Sequence, residues 1–360
     1  MEIFVKQCFK LEIDGLTLKA YLMNGKFREF SLVGVTHLRC VMGSLESLPV
    51  LPDFIEEIDC HHNNLRTLPN LPKSLKRLSC QGNNIISLPD LPDSLEGLQC
   101  SGNYLEMLPI LPDSIIKLYC QDNELKTLTK LPNSLIHFQC GFNPLQSFPD
   151  LPESLREMDC SEIRGCALPK LPHLLESLHC SHSSLSSLPD LPPMLNFLDC
   201  PNNNLSILPE LPESLLRLNC SNNKLVSLPK LPIKLIELGC NDNHIQKLTD
   251  LPNSLNILVC LRNPLIFIAP LPKKPKDYIV PPNFGTLHSR LNYPVYSRRY
   301  QTYRYLISFL ALERGLLPAA LSNDLWWFPG MIGEPKREWT EQAATRQIRN
   351  ESHQMLFENL

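Results

Sequence analysis

From residue 34 to residue 272, hydrophobic and polar positions recur every twenty residues without an insertion, in the form LxxLxCxxNxLxxLPxLPxS. One copy reads Leu75, Leu78, Cys80, Asn83, Ile85, Leu88, Pro89, Leu91, Pro92 and Ser94. Leu78 and Cys80 alternate with Arg77, Ser79 and Gln81, the period of two that sends alternate side chains to opposite faces of a strand. Each of the twelve copies therefore predicts one short strand. Stacked in parallel at roughly 4.8 Å, these strands make a curved sheet about 55 Å long. The return path holds prolines at two fixed positions and is too short for a helix, so it is expected to run extended and polyproline-like over the convex side.

Cysteine keeps the same register, every twenty residues from Cys40 to Cys260. At an inward strand position it acts as a small polarizable apolar residue where leucine would crowd a thin core, and burial leaves it unreactive. Cys60, Cys80, Cys100 and Cys120 are assigned to the core on this ground. The spacing lacks the close CxxC pairs of zinc sites, and the neighbouring inward positions are leucines rather than histidines. Stacked, in-register side chains are poorly disposed for the torsion a disulfide requires. No metal and no cofactor is expected. The asparagine column, Asn83 and Asn103 among it, falls at the turn leaving each strand, where a buried amide can satisfy backbone groups of neighbouring rungs.

Period and residue types together resemble the leucine-rich repeat, in particular the short LPxLP variety. That variety is known from effector proteins that pathogenic bacteria deliver into host cells and from proteins encoded by giant DNA viruses. The resemblance covers about two thirds of the chain and implies an α/β-type repeat solenoid with short parallel strands on its concave face.

The flanks depart from the repeat. Residues 1–33 carry Asp14-Gly15 and Asn24-Gly25 between strand-like runs, and these dipeptides favour hairpin turns, so an antiparallel β-meander is expected to cap the first rung. Residues 273–294 read as a proline-rich connector. Residues 295–360 hold Trp326, Trp327 and Trp339 and predict a helical C-terminal cap or module, with helices near 296–314, 318–327 and from 335 onward. Apolar Ile257, Val259 and Leu261 at outward positions of the last rung favour docking of that tail. The β-type N-terminal cap and the distinct tail lean toward a giant-virus protein. Within the repeats, SEIRGCALPK breaks the pattern: Ile163 replaces the asparagine and Gly165 the core leucine, Cys166 is extra, and Ser183 stands where the next asparagine belongs, so a local kink is expected.

Composition adds limits. With 43% hydrophobic and 20% charged residues the chain can build a continuous core, and its 33 prolines are patterned by the repeat. No secretory signal is evident at the N-terminus, and the apolar stretch 305–321 is cut by Glu313, Arg314, Gly315 and Pro318 before it reaches membrane-spanning length. A monomer in a reducing cytoplasm, that of a eukaryotic host included, is expected. Residues 273–360 carry a net charge of +4 against −7 for the rest, but the cations are dispersed and no nucleic-acid motif is present, so nucleic-acid binding through the tail is the weaker reading.

Function is expected on the concave face, where outward side chains are free of the core and differ between copies. Arg39, His61, Arg77, Tyr119, Phe142, His179, Phe197 and Arg217 are the candidate contacts for a protein partner, with the aromatics as anchors. His61-His62 and His179 with His182 lack an aligned nucleophile or a third ligand, and by strand spacing His62 and His182 lie roughly 29 Å apart. The resemblance also brings to mind effectors with a cysteine-dependent ubiquitin-ligase domain. No cysteine follows Cys260, which excludes a thioester in this tail and leaves a non-enzymatic scaffold, or an adaptor for a ubiquitin ligase acting through the tail.

Overall fold

The computed structural model describes residues 1–270 and the strand Asp277–Ile279, all within one compact unit, Met1–Pro282. Four strands precede the regular array: β1 (Glu2–Lys6), β2 (Cys8–Asp14), β3 (Thr17–Leu22) and β4 (Phe27–Ser31). The array opens with β5 (His37–Val41), β6 (Glu57–Asp59), β7 (Arg77–Ser79), β8 (Gly97–Gln99), β9 (Lys117–Tyr119) and β10 (His137–Gln139). It continues through β11 (Glu157–Asp159), β12 (Ser177–His179), β13 (Phe197–Asp199), β14 (Arg217–Asn219) and β15 (Glu237–Gly239). Its far end holds β16 (Lys247–Leu248), β17 (Ile257–Val259), β18 (Phe267–Ile268) and β19 (Asp277–Ile279).

All pairings from β5 to β17 in the main sheet are parallel with a register of twenty residues, as in Arg77 opposite Gly97 and Gly97 opposite Lys117. The inward columns fill the core: Leu78, Leu98, Leu118 and Phe138 in the strands, and Ile85, Leu105 and Leu125 on the way out, are all fully buried. The proline motif has a local role in each return. Pro92 accepts a hydrogen bond from the Leu95 amide at 3.0 Å, a tight turn that re-enters the next strand and recurs at Pro72 with Leu75 and Pro112 with Ile115. No helix occurs among the described residues, and β16 with β18 adds a short parallel pair to the return side.

Two expectations about the ends need correction. The meander exists, with β2–β3–β4 antiparallel and turns that put Gly15 at φ 60° and Gly25 at φ 78°. β1, however, is not part of it: Glu2–Lys6 runs parallel to β5, Ile3 opposite Leu38 and Val5 opposite Cys40, as a further rung of the main sheet. Its copy of the pattern is disguised because the register to the next strand is thirty-five residues, the meander being inserted between them. At the other end, β19 lies parallel to β17 at the twenty-residue register, inside the segment read as a connector. The predicted tail helices, Trp326, Trp327 and Trp339 included, lie outside the described residues.

At the irregular rung the core is refilled. Ile163 and Cys166 are both buried, while Gly165 adopts φ 82°, a left-handed conformation that leucine, the usual residue there, disfavours.

Candidate functional site

Three ladders hold the rungs in register. Asn103 donates from Nδ2 to the carbonyls of Cys80 and Cys100, both at 3.0 Å, and accepts from the Ile85 amide at 3.0 Å. The same set recurs at Asn63, Asn83, Asn123, Asn143, Asn203, Asn223 and Asn243. The Ile163 side chain offers neither donor nor acceptor. Ser183 replaces part of the function next door, donating to Cys160 O at 3.2 Å and accepting from the Ile163 amide at 3.3 Å.

A serine ladder escaped the sequence reading: Ser94 Oγ donates to Lys73 O at 2.7 Å and Leu75 O at 2.8 Å, and Ser134 to Asp113 O and Ile115 O, both at 2.6 Å. Its sequence signal was the serine after LPx at positions 74, 94, 114, 134, 154, 214 and 254. The cysteines form the third column. All fourteen in the chain are buried and unbridged, and burial pushes the thiols of Cys80 and Cys120 up to about 12 and those of Cys60 and Cys100 well above the ordinary range. Some thiols donate to the carbonyl of the next rung, Cys160 to His179 O at 3.3 Å. This core positions the outward strand columns of the sheet.

On that face most cations are already committed to carboxylates of the same sheet. Arg39 reaches Asp59 at 3.1 Å and Glu2 at 3.4 Å, and His61 reaches Asp59 at 2.5 Å. Arg77 donates from Nε to Glu57 at 2.7 Å, and His37 lies 3.5 Å from the same carboxylate. His137 is 2.7 Å from Glu157, His179 3.7 Å from Asp199 and Arg217 3.6 Å from Glu237. Burial raises the Glu237 carboxyl above its usual value, and Arg217 opposes this. The sequence reading named the cations and missed that the acids holding them stand one rung away in the same column, as Glu57 beside Arg77, Glu157 beside His137 and Glu237 beside Arg217, or two residues back in the same rung, as Asp59 beside His61.

The aromatics stand in different settings. Tyr119 is half-buried in β9, and burial holds its phenol above the usual value. Phe197 packs its ring on His179 at 4.8 Å. Phe142 is not in the strand columns; it sits just past β10 at φ 54° and remains exposed. Its column, three residues beyond each strand, is left-handed throughout the array; Gly82, Gly102, Asp122, Asn202, Asn222 and Asp242 are residue types that tolerate this conformation, whereas Met42, Glu162, His182 and Arg262 adopt it, like Phe142, against preference. A bulky aromatic is held there against backbone preference. His62 shares that column, and its ring lies 5.2 Å from that of His61, edge on. His61 and His179 are thus structurally separate and each is engaged by its own carboxylate. Among the described residues no group of three His, Cys, Asp or Glu is arranged to hold a metal ion.

A parallel sheet stacked at a twenty-residue register, tied by asparagine and cysteine columns, makes this chain a leucine-rich repeat protein of the short twenty-residue type. It is similar to YopM from Yersinia enterocolitica WA-314, at 33% identity and a TM-score of 0.60 over 68% of this chain and 59% of that one. YopM from Yersinia pestis, a leucine-rich effector protein, matches at 29% identity and a TM-score of 0.54, over 68% of this chain and 82% of that one. The functional domain of InlJ from Listeria monocytogenes, which includes a cysteine ladder, shares the fold at 23% identity and a TM-score of 0.52, over 64% of this chain and 54% of that one. The matched region thus spans 59% of the Yersinia enterocolitica chain. No family model and no curated protein sequence matches this chain.

Proposed function

We propose that the protein is a non-enzymatic scaffold that binds another protein on the concave face of its sheet and acts in the cytoplasm of a host cell. One observation carries this reading. The core columns repeat from rung to rung, whereas the strand positions 77, 97, 117, 137, 157, 177, 197 and 217 hold Arg, Gly, Lys, His, Glu, Ser, Phe and Arg. Stability asks nothing of that variation, so it is available for recognition. Tyr119, Phe142 and Phe197 serve as anchors, and the paired cations Arg39, His61, Arg77, His179 and Arg217 are pre-oriented by their carboxylates. The description of YopM as an effector supports the host-directed part of the proposal.

The test is affinity capture from host-cell lysate under reducing conditions. The intact chain is compared with a Tyr119→Ala/Phe197→Ala variant and a chain ending at Pro282, each first shown to be folded. A partner retained by the intact and shortened chains and lost by the double variant supports concave recognition. Capture that depends only on residues 283–360 would move the function to the tail, as an adaptor or nucleic-acid binder would require.

A further inference from the structure

Of the lysines and arginines in the strand columns from Arg39 to Arg217, Lys117 has no carboxylate within 4.0 Å among the described residues, whereas Arg39 has two and Arg77 and Arg217 one each. Its neighbour in the column is Gly97, directly opposite it in the sheet. A Cβ built at Gly97 would meet only Arg77 Cγ, at 3.6 Å, so the glycine is not required by packing or by its backbone. Glu57 draws the Arg77 guanidinium toward the preceding strand. The result is a notch with Gly97 as its floor, Arg77 on one side and the uncompensated Lys117 on the other. Those two residues are two rungs apart, roughly 9.6 Å at ordinary strand spacing, wide enough for a carboxylate with a hydrogen bond on each side.

The surroundings restrict what else the ligand carries. The second strand column reads Ser79, Gln99, Tyr119 and Gln139 across this region, with no formal charge. Gln139 accepts from Gln121 at 2.9 Å and Gln121 from Ser101 at 2.7 Å, a neutral polar surface beside the notch. Beyond it Glu157, held by His137, repels a second anion.

We infer that the notch over Gly97 receives an aspartate or glutamate side chain of the partner, carried on an otherwise uncharged, hydrogen-bonding segment that crosses Gln99, Tyr119 and Gln139. This rests on the concave-face reading and names the chemistry of its partner. Lys117 supplies the attraction, Arg77 a second, partly neutralised cation, and Tyr119 an aromatic surface for the adjoining residue.

The experiment pans a displayed library of random linear peptides against the intact chain and against Lys117→Glu, Gly97→Val and Tyr119→Ala. Valine suits a strand and fills the notch without a backbone clash. Circular dichroism confirms each variant is folded. The expected result is enrichment of a single Asp or Glu among neutral polar residues. Affinity should fall about tenfold or more in Lys117→Glu and in Gly97→Val, and selection should switch to Lys or Arg on Lys117→Glu. Peptides that lose binding in Tyr119→Ala but ignore Lys117→Glu and show no acidic residue overturn this inference and leave the concave-face reading standing. Peptides indifferent to all three variants, or no enrichment at all, overturn it as well, and the capture experiment then decides the broader reading. Competition by inorganic phosphate, with a phosphoserine peptide binding more tightly than its aspartate counterpart, overturns the carboxylate assignment in favour of a phosphoryl ligand.

Discussion

The asparagine ladder makes a quantitative comparison possible between two chemically identical substitutions. In Asn103→Ala the Ile85 amide loses its acceptor, while the Cys80 and Cys100 carbonyls each lose one of two donors, keeping Asn83 and Asn123 at 3.0 Å. One orphaned buried amide and two lost bonds to still-satisfied acceptors amount to about 3 kcal/mol. In Asn143→Ala the Leu125 amide is orphaned in the same way, and Cys120 O keeps Asn123 at 3.1 Å. Cys140 O differs. Its second donor would come from position 163, which is isoleucine, so Asn143 at 2.9 Å is its remaining side-chain donor among the described residues. Stranding that buried carbonyl adds about 1–2 kcal/mol. Asn143→Ala should therefore destabilise by about 4–5 kcal/mol against about 3 for Asn103→Ala. Urea unfolding measures the difference, provided the m value is unchanged, and amide exchange at Leu125 and Ile85 locates it. Equal costs, or a larger one at Asn103, would refute the reasoning that the two carbonyl acceptors differ in their remaining partners.

Three other outcomes follow from the same geometry. A Cβ at Gly141 would stand 2.6 Å from the Ser161 carbonyl, so Gly141→Ala should cost about 1–3 kcal/mol in thermal or urea unfolding, while Gly97→Ala, whose Cβ would make only an ordinary contact with Arg77 Cγ at 3.6 Å, should be neutral or slightly stabilising. Glu237 holds its proton more tightly folded than unfolded, so its contribution to stability is present below the ordinary glutamate range and lost as pH rises through the raised folded value. Urea midpoints from about pH 4 to about pH 7 should thus decline less in Glu237→Gln than in the wild type, and an unchanged slope would refute the assignment. All fourteen thiols are buried, so a thiol-reactive dye should label the native protein only at the rate of unfolding; rapid labelling of even one repeat cysteine would contradict the packing.

Much of the fold was legible in the sequence because a solenoid repeats its own solution. Leu78, Cys80 and Asn83 face the same neighbours one rung away as Leu98, Cys100 and Asn103, so side-chain period and residue type determined strand, core and turn locally. The variation of the column that holds Arg77 was legible for the same reason, since the core columns repeat while it does not. The repeat to which Glu2–Lys6 belongs was hidden: a thirty-five-residue register with a meander inside it leaves no twenty-residue signal, and only strand pairing reveals it. The carboxylate partners of His61, Arg77 and Arg217 were not read from the sequence either, although Glu57 and Glu237 share a column with Arg77 and Arg217. These contacts run across columns or between rungs and depend on which way a long side chain turns. Asp277–Ile279 was masked by the prolines and lysines around it, which read as a connector until the backbone places it beside β17. The sequence by itself determined the rung, because each rung is a local problem. Tertiary structure alone decided how β1 and β19 join the sheet and that Lys117, beside a bare Gly97, has no carboxylate within 4.0 Å among the described residues. Those facts depend on which side chains meet across strands, and no single repeat contains them.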